Sequence, residues 1–204
     1  MLELDHLAVG AATLDAGVAA VEEALGVDLA GGGKHPLMGT HNRLLGLGDV
    51  YLEVIAINPD AAGPDHPRWF DLDNFTGAPQ LTNWICRTDD LEAAIDASPD
   101  GVGVPVALSR ADLRWRMAVP TNGKLPFGNA YPALIQWEGA AHPAARLPDV
   151  ECRLLRLEIA HPEALALKAA MAGSLSDARV VISQGDAVAY RAKIETPHGI
   201  RVLE

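Results

Sequence analysis

The chain has 204 residues, 49% of them apolar, and its 27 Asp and Glu outweigh 16 Lys and Arg to give a net charge of −11. That length supports a good-sized core without disulfides, and the negative charge repels a phosphate backbone unless basic residues cluster, so nucleic acid is excluded as a partner. No apolar run approaches the roughly 18 residues of a membrane span, and Met1–Asp5 enters a strand pattern without a leader signature, so the expected compartment is the cytoplasm.

Cys86 and Cys152 each lie inside an apolar run, which predicts buried thiols rather than a metal or disulfide framework. Along the chain one pattern recurs three times: an apolar strand, a short capped helix, then two or three strands. The first copy spans residues 1–57. Leu2–Val9 reads as a strand, and Thr13 caps a helix with Leu14, Val18, Val21 and Leu25 on one face, ended by Gly26. The runs Asn42–Leu47 and Val50–Ile57, separated by Gly48-Asp49, predict a hairpin.

Residues 58–79 are rich in Pro, Asp and Gly around Trp69 and Phe70, the composition of a packed flap rather than a free linker. The second copy covers 80–138, with a strand from Leu81 to Arg87, a helix opened by Asp89 with Glu92 as its capping-box partner, and strands at 102–108, 113–119 and 131–137. A connector and a third copy fill 139–204, with a strand at 153–160, a helix from Pro162 and strands at 179–183, 187–195 and 200–204. The predicted class is α+β: repeated βαβββ units forming curved, cup-like mixed sheets with helices outside.

Gly31-Gly32-Gly33-Lys34 lacks the spacing of a phosphate-binding loop and Gly101-Val102-Gly103 lacks a third glycine, so no nucleotide is expected. No serine-elbow, HExxH or cysteine-nucleophile signature is present. Strand alternation puts His6 on the face turned away from the helix and Glu53, between Leu52 and Val54, on one face with Tyr51. A Glu among apolar residues is costly to bury unpaired.

His in the first strand and Glu in the last strand of a βαβββ unit resemble the metal-bearing strands of the vicinal oxygen chelate superfamily, which includes glyoxalases, bleomycin-resistance proteins and dihydroxybiphenyl dioxygenases. Gly39–Gly48, Ile135-Gln136-Trp137 and Thr196-Pro197-His198-Gly199 more narrowly resemble a glyoxalase-like domain family. The resemblance covers nearly the whole chain and implies two paired units forming a cup around a divalent ion. It places metal ligands at His6 and Glu53. In the second unit, Trp84 stands where a His is usual and Gln136 where a Glu is usual, and Gln136 alone of these could ligate.

A mixed N and O site of that kind suits Mn, Fe, Ni, Co or Zn. The implied function is metal-assisted lyase, isomerase or oxygenase chemistry on a small carbonyl or oxygen-bearing substrate. Glu53 is a candidate base as well as a ligand, and His41 a candidate acid or base. Asn42, Trp84, Gln136 and Arg114 are candidate substrate-binding residues. The plain readings stay beside these: a metal-free hydrogen-bonded His6–Glu53 pair, a turn at His41-Asn42, a core tryptophan at 84, a solvated face for Arg114 and Arg116. Trp137, opposite in parity to Gln136, is expected under a helix, and His35 has no assigned role. The alternative function is a metal-free binding or sequestration protein with the same cup, and a homodimer across an edge strand stays open.

Overall fold

A computed structural model describes all 204 residues. The first unit contains β1 (Glu3–Gly10), α1 (Leu14–Leu25), β2 (Lys34–His35), β3 (Thr40–Gly46) and β4 (Tyr51–Ile57). The second contains β5 (Gln80–Arg87), α2 (Leu91–Asp96), β6 (Val104–Arg110), β7 (Leu113–Val119) and β8 (Ala133–Trp137). The last contains β9 (Arg153–His161), α3 (Ala164–Ala170), β10 (Val180–Gln184), β11 (Ala189–Thr196) and β12 (Gly199–Leu203).

Local chemistry sets the helix ends. Thr13 Oγ1 accepts from Ala16 N–H, and Gly26 closes α1 in the left-handed conformation at φ +73°. In α2 the cap is Asp90, not Asp89: its side chain accepts from Ala93 N–H. The third helix starts at Ala164, two residues after Pro162, because His161 Nδ1 takes up the N–H of Glu163 and delays the first helical turn.

The first two units merge into one 8-stranded sheet in the order β2-β3-β4-β1-β5-β8-β7-β6. In each unit the first strand runs parallel to the last, β1 beside β4 and β5 beside β8, and the two units join through the antiparallel β1–β5 pair. The sheet curls until its two edges approach, and Arg110 at the end of β6 reaches Asn42 on β3 across that seam. The result is an α+β cup with α1 and α2 on its outside.

The third unit forms a separate 4-stranded sheet in the order β10-β9-β11-β12. Here the first strand pairs in parallel with the strand after the helix rather than with the last one. It therefore repeats the element order but not the pairing of the cup-forming units. Leu157, Ile159, Leu167 and Ile194 join it to the continuous apolar core that also contains Leu7, Leu52 and Trp84. Arg179 clamps Asp49 of the first unit through two N–H donors at 2.8 and 2.9 Å. No helix is long and apolar enough to cross a membrane.

Candidate functional site

β1 carries the feature that organises the cup. Its pairing with β5 steps from Leu4 opposite Cys86 directly to His6 opposite Ile85, leaving Asp5 as the extra residue of a bulge. Strict alternation would send Asp5 and His6 to opposite faces. The bulge instead lets Asp5 Oδ1 meet His6 Nδ1 at 2.6 Å. Asp5 is fully buried. Its other oxygen accepts from Trp137 Nε1 at 3.0 Å and lies 2.9 Å from His142 Nε2, so the carboxylate is satisfied on both sides.

His6 stacks on Tyr51 at a centroid distance of 4.4 Å and turns Nε2 toward Glu53 Oε2, 3.7 Å away. That separation is an ion-pair distance, too long for a direct hydrogen bond. Burial works against a charged imidazole, but the hydrogen bond to Asp5 and the neighbouring Glu53 carboxylate outweigh it and raise His6 to about 9. Burial likewise opposes ionised Glu53, and His6 and the Asn42 amide overcome it, holding the carboxyl down to about 2. The two side chains face each other as an imidazolium and a carboxylate.

Asn42 locks the far side of Glu53. Its Nδ2 donates to Glu53 Oε1 and lies 3.4 Å from His35 Nε2, while its Oδ1 accepts from Gly33 N–H at 2.8 Å and Arg110 at 3.0 Å. Two donors on the oxygen fix which way the amide faces. Burial pushes His35 down to about 4 and keeps it neutral, so Nε2 can accept from Asn42 while Nδ1 pairs with Thr40 Oγ1 at 3.0 Å.

These groups border a small cavity of about 30 Å³ whose remaining wall is apolar and aromatic, including Trp69, Trp115 and Trp137 beside Leu44, Met117 and Ile135. Trp69 and Phe70 belong to a 3-10 turn, Trp69–Asn74, inside the segment whose composition predicts a flap. Phe70 and Asp71 both adopt positive φ, +59° and +54°, and Asp71 N–H anchors to the Gly123 carbonyl at 2.8 Å. Phe70 also lines an open groove of about 640 Å³ between this turn and the third unit. It stands between the groove and the small cavity.

The sequence candidates divide. His6, Glu53 and Asn42 come together at the cavity. His41 does not: it alternates with Asn42 along β3, lies near Lys34 and Asp15, and has its pKa lowered by burial and by Lys34. Trp84 pairs with Leu7, is fully buried and donates to the Ala130 carbonyl at 2.9 Å. On the cup face of β5 the neighbours of Ala8 and His6 are Asn83 and Ile85.

Gln136 serves α2, accepting from Leu91 N–H at 3.2 Å and donating to the Asp89 carbonyl at 2.6 Å. Ile135 and Trp137 take the cavity side of β8, so Trp137 faces the cup rather than a helix. Arg114 is exposed on the outer face of β7, and Arg110, four residues earlier at the end of β6, enters instead. Sequence reasoning does not single out Asp5, His35, Arg110 or His142 as site residues. Only the bulge and the closing of the sheet bring them in, and neither leaves a periodic signal.

The superfamily resemblance implies a divalent ion. The donor set does not fit one: His6 Nε2 and Glu53 Oε2 face each other, but Ile85 and Ile135 occupy the second unit's inner face, and no three His, Cys, Asp or Glu side chains are placed so that they could hold a metal ion. The Asp5 carboxylate holds the His6 imidazole through Nδ1 and turns Nε2 toward the cavity. His6 Nε2 and Glu53 Oε2 thus lie side by side on the cavity wall, with Asp5 fixing the orientation of the imidazole.

An α+β cup made of two parallel-closed βαβββ units, with a polar pair from the first strand and the last, defines the vicinal oxygen chelate class. The chain belongs to the glyoxalase-like domain family, which matches residues 4–175. Among solved structures it is similar to a hypothetical protein from Staphylococcus aureus at 14% identity, covering 96% of this chain and 92% of that one with a TM-score of 0.67. Methylmalonyl-CoA epimerase from Mycobacterium tuberculosis also matches, at 18% identity over 68% of this chain and 88% of that one, TM-score 0.44. The Streptomyces coelicolor methylmalonyl-CoA epimerase in complex with 2-nitronate-propionyl-CoA matches at 16% identity over 68% and 97%, TM-score 0.44. No curated protein matches the sequence.

Proposed function

We propose that this protein is a small-molecule enzyme that moves a proton next to a carbonyl, as a lyase or isomerase, with Glu53 as base and His6 as acid. The observation that carries the reading is the 3.7 Å gap between His6 Nε2 and Glu53 Oε2 on a cavity wall. A substrate lying against the pair on the cavity side meets a donor at one atom and an acceptor at the next. Glu53 takes the proton from the carbon, His6 gives its Nε2 proton to the carbonyl oxygen, and an enol results; the reverse transfers complete an isomerisation. Held near 2, Glu53 is a weak base, but its proton affinity rises as His6 surrenders the charge that holds it down. Asp5 keeps the imidazole oriented and charged until that transfer.

The test is proton NMR in D2O on a panel of small 2-oxo acids and 1,2-dicarbonyl compounds. Wild-type protein should wash deuterium into the position next to the carbonyl, and Glu53→Gln should lower that rate at least a hundredfold. Loss of exchange across the whole panel in wild type would remove the catalytic reading. A second reading, binding without turnover, is supported by the small cavity and the aromatic side chains on its wall. Metal assistance is the remaining alternative: stoichiometric Mn, Fe, Ni, Co or Zn in protein purified without a tag, lost in His6→Ala, would replace the metal-free scheme.

A further inference from the structure

Three buried polar atoms in or beside the cup have no partner within the protein: the indole N–H of Trp69 and both amide atoms of Asn83. Trp69 is 4% exposed and Asn83 1%. Groups buried this deeply are almost always hydrogen-bonded, and an unpaired one costs about 1–3 kcal/mol. A site that retains such groups is arranged for something that completes them.

Arg110 adds a positive charge to these unpaired groups. Arg68, Arg87, Arg116 and Arg179 each hold a carboxylate, whereas Arg110, on the cavity wall, is held only through the neutral Asn42 oxygen. Its stem packs over Gly33 so closely that a Cβ there would lie 2.4 Å from Arg110 Cδ. A guanidinium fixed in place but lacking an anion and a free indole N–H on the wall of the same small cavity are a donor pair of the kind that takes the two oxygens of one carboxylate. The two cations of the wall, His6 and Arg110, balance Asp5 and Glu53, so an incoming anion meets no net repulsion.

We infer that Arg110 and Trp69 form a carboxylate-binding subsite, which makes the substrate a small organic acid. This rests on the cavity being the substrate site and adds the class of molecule it takes. The acid's carboxylate lies on Arg110 and the Trp69 N–H, and its neighbouring carbon is directed at the His6–Glu53 gap. A volume of about 30 Å³ is roughly that of one water. Seating the acid therefore displaces Phe70 toward the groove it already lines, while Trp69 keeps its place on the wall.

Trp69, Trp115 and Trp137 all border the cavity, so tryptophan fluorescence reports its occupancy. Titration would compare pyruvate with its neutral amide, pyruvamide, on wild type, Arg110→Gln, Arg110→Lys, Trp69→Phe and Glu53→Gln, with thermal melts confirming that each variant folds. Pyruvate should bind wild type at least tenfold more tightly than pyruvamide. Arg110→Gln should erase that preference, Arg110→Lys should restore part of it, and Trp69→Phe, which keeps the ring and loses the N–H, should weaken pyruvate severalfold. Equal binding of acid and amide by wild type, or an unchanged preference in folded Arg110→Gln, overturns the subsite. The exchange assay separates the two readings: wild type that prefers pyruvate as expected but exchanges no proton sinks the catalytic scheme and leaves the subsite standing, and Glu53→Gln should lose exchange while keeping that preference.

Discussion

Asp5 and His6 are consecutive residues whose side chains meet on one face of β1, with Asp5 Oδ1 2.6 Å from His6 Nδ1. A regular strand forbids this, and the bulge opposite Cys86 and Ile85 permits it. The charge state of the whole cup follows, because Asp5 sets His6 and His6 in turn sets Glu53.

Replacing Asp5 with Asn keeps the size and removes the charge. His6 should fall from about 9 back toward its ordinary value of 6.5, read by NMR titration of the ring carbons. Stability to urea should drop by about 3 kcal/mol, the cost of breaking a buried ion pair from one side. A His6 that still titrates near 9 would show that Glu53 alone holds its charge.

Stability should peak near pH 6.5. His6 is raised from 6.5 to about 9, so its contribution is complete below 6.5 and is lost as pH climbs through 9. His35 is lowered from 6.5 to about 4, so the folded state resists its protonation and loses stability as pH falls from 6.5 to 4. Glu53 is lowered from 4.5 to about 2, and its contribution disappears as pH falls from 4.5 through 2. Each histidine should be worth on the order of 3 kcal/mol across its window. Urea midpoints against pH would show the peak, with His6→Gln flattening the alkaline limb and His35→Gln the limb from 6.5 to 4.

Gly32 is where the backbone comes closest to the site. A Cβ there would sit 1.9 Å from the Asn42 carbonyl oxygen, a backbone atom that can yield only by moving β3. Gly32→Ala should therefore cost about 1–3 kcal/mol and shift Asn42 off Glu53. A melt within about 1 °C of wild type, a shift smaller than even 1 kcal/mol produces, would show that the loop simply moves aside.

Asn83 trades stability for its unpaired amide. Asn83→Leu, close in size, removes two unsatisfied buried atoms and should stabilise the protein by about 1 kcal/mol or more. Differential scanning calorimetry would register a higher midpoint. A lower one would mean that ordered water satisfies the amide.

The repeat, the Thr13 and Gly26 ends of α1, the β3–β4 hairpin and the cup with His6 and Glu53 inside it were all legible in the sequence. Each rests on interactions within a few residues, or on alternation that persists over a whole strand. The inner face of the second unit was not legible. Matching the second unit to the superfamily's ligand positions puts Trp84 and Gln136 in the cup, where the structure has Asn83, Ile85 and Trp137.

By itself the sequence determined the element order, the paired-unit plan and the placing of His6 and Glu53 on the first unit's inner face, because local capping and strand periodicity encode them. Only the tertiary structure decided that Asp5 joins His6, that Arg110 crosses the seam to Asn42 and that Trp69 closes the cavity. Those contacts depend on one extra residue in β1 and on how far the 8-stranded sheet curls. Both are outcomes of packing between residues far apart in the chain, which periodicity along a single strand does not record.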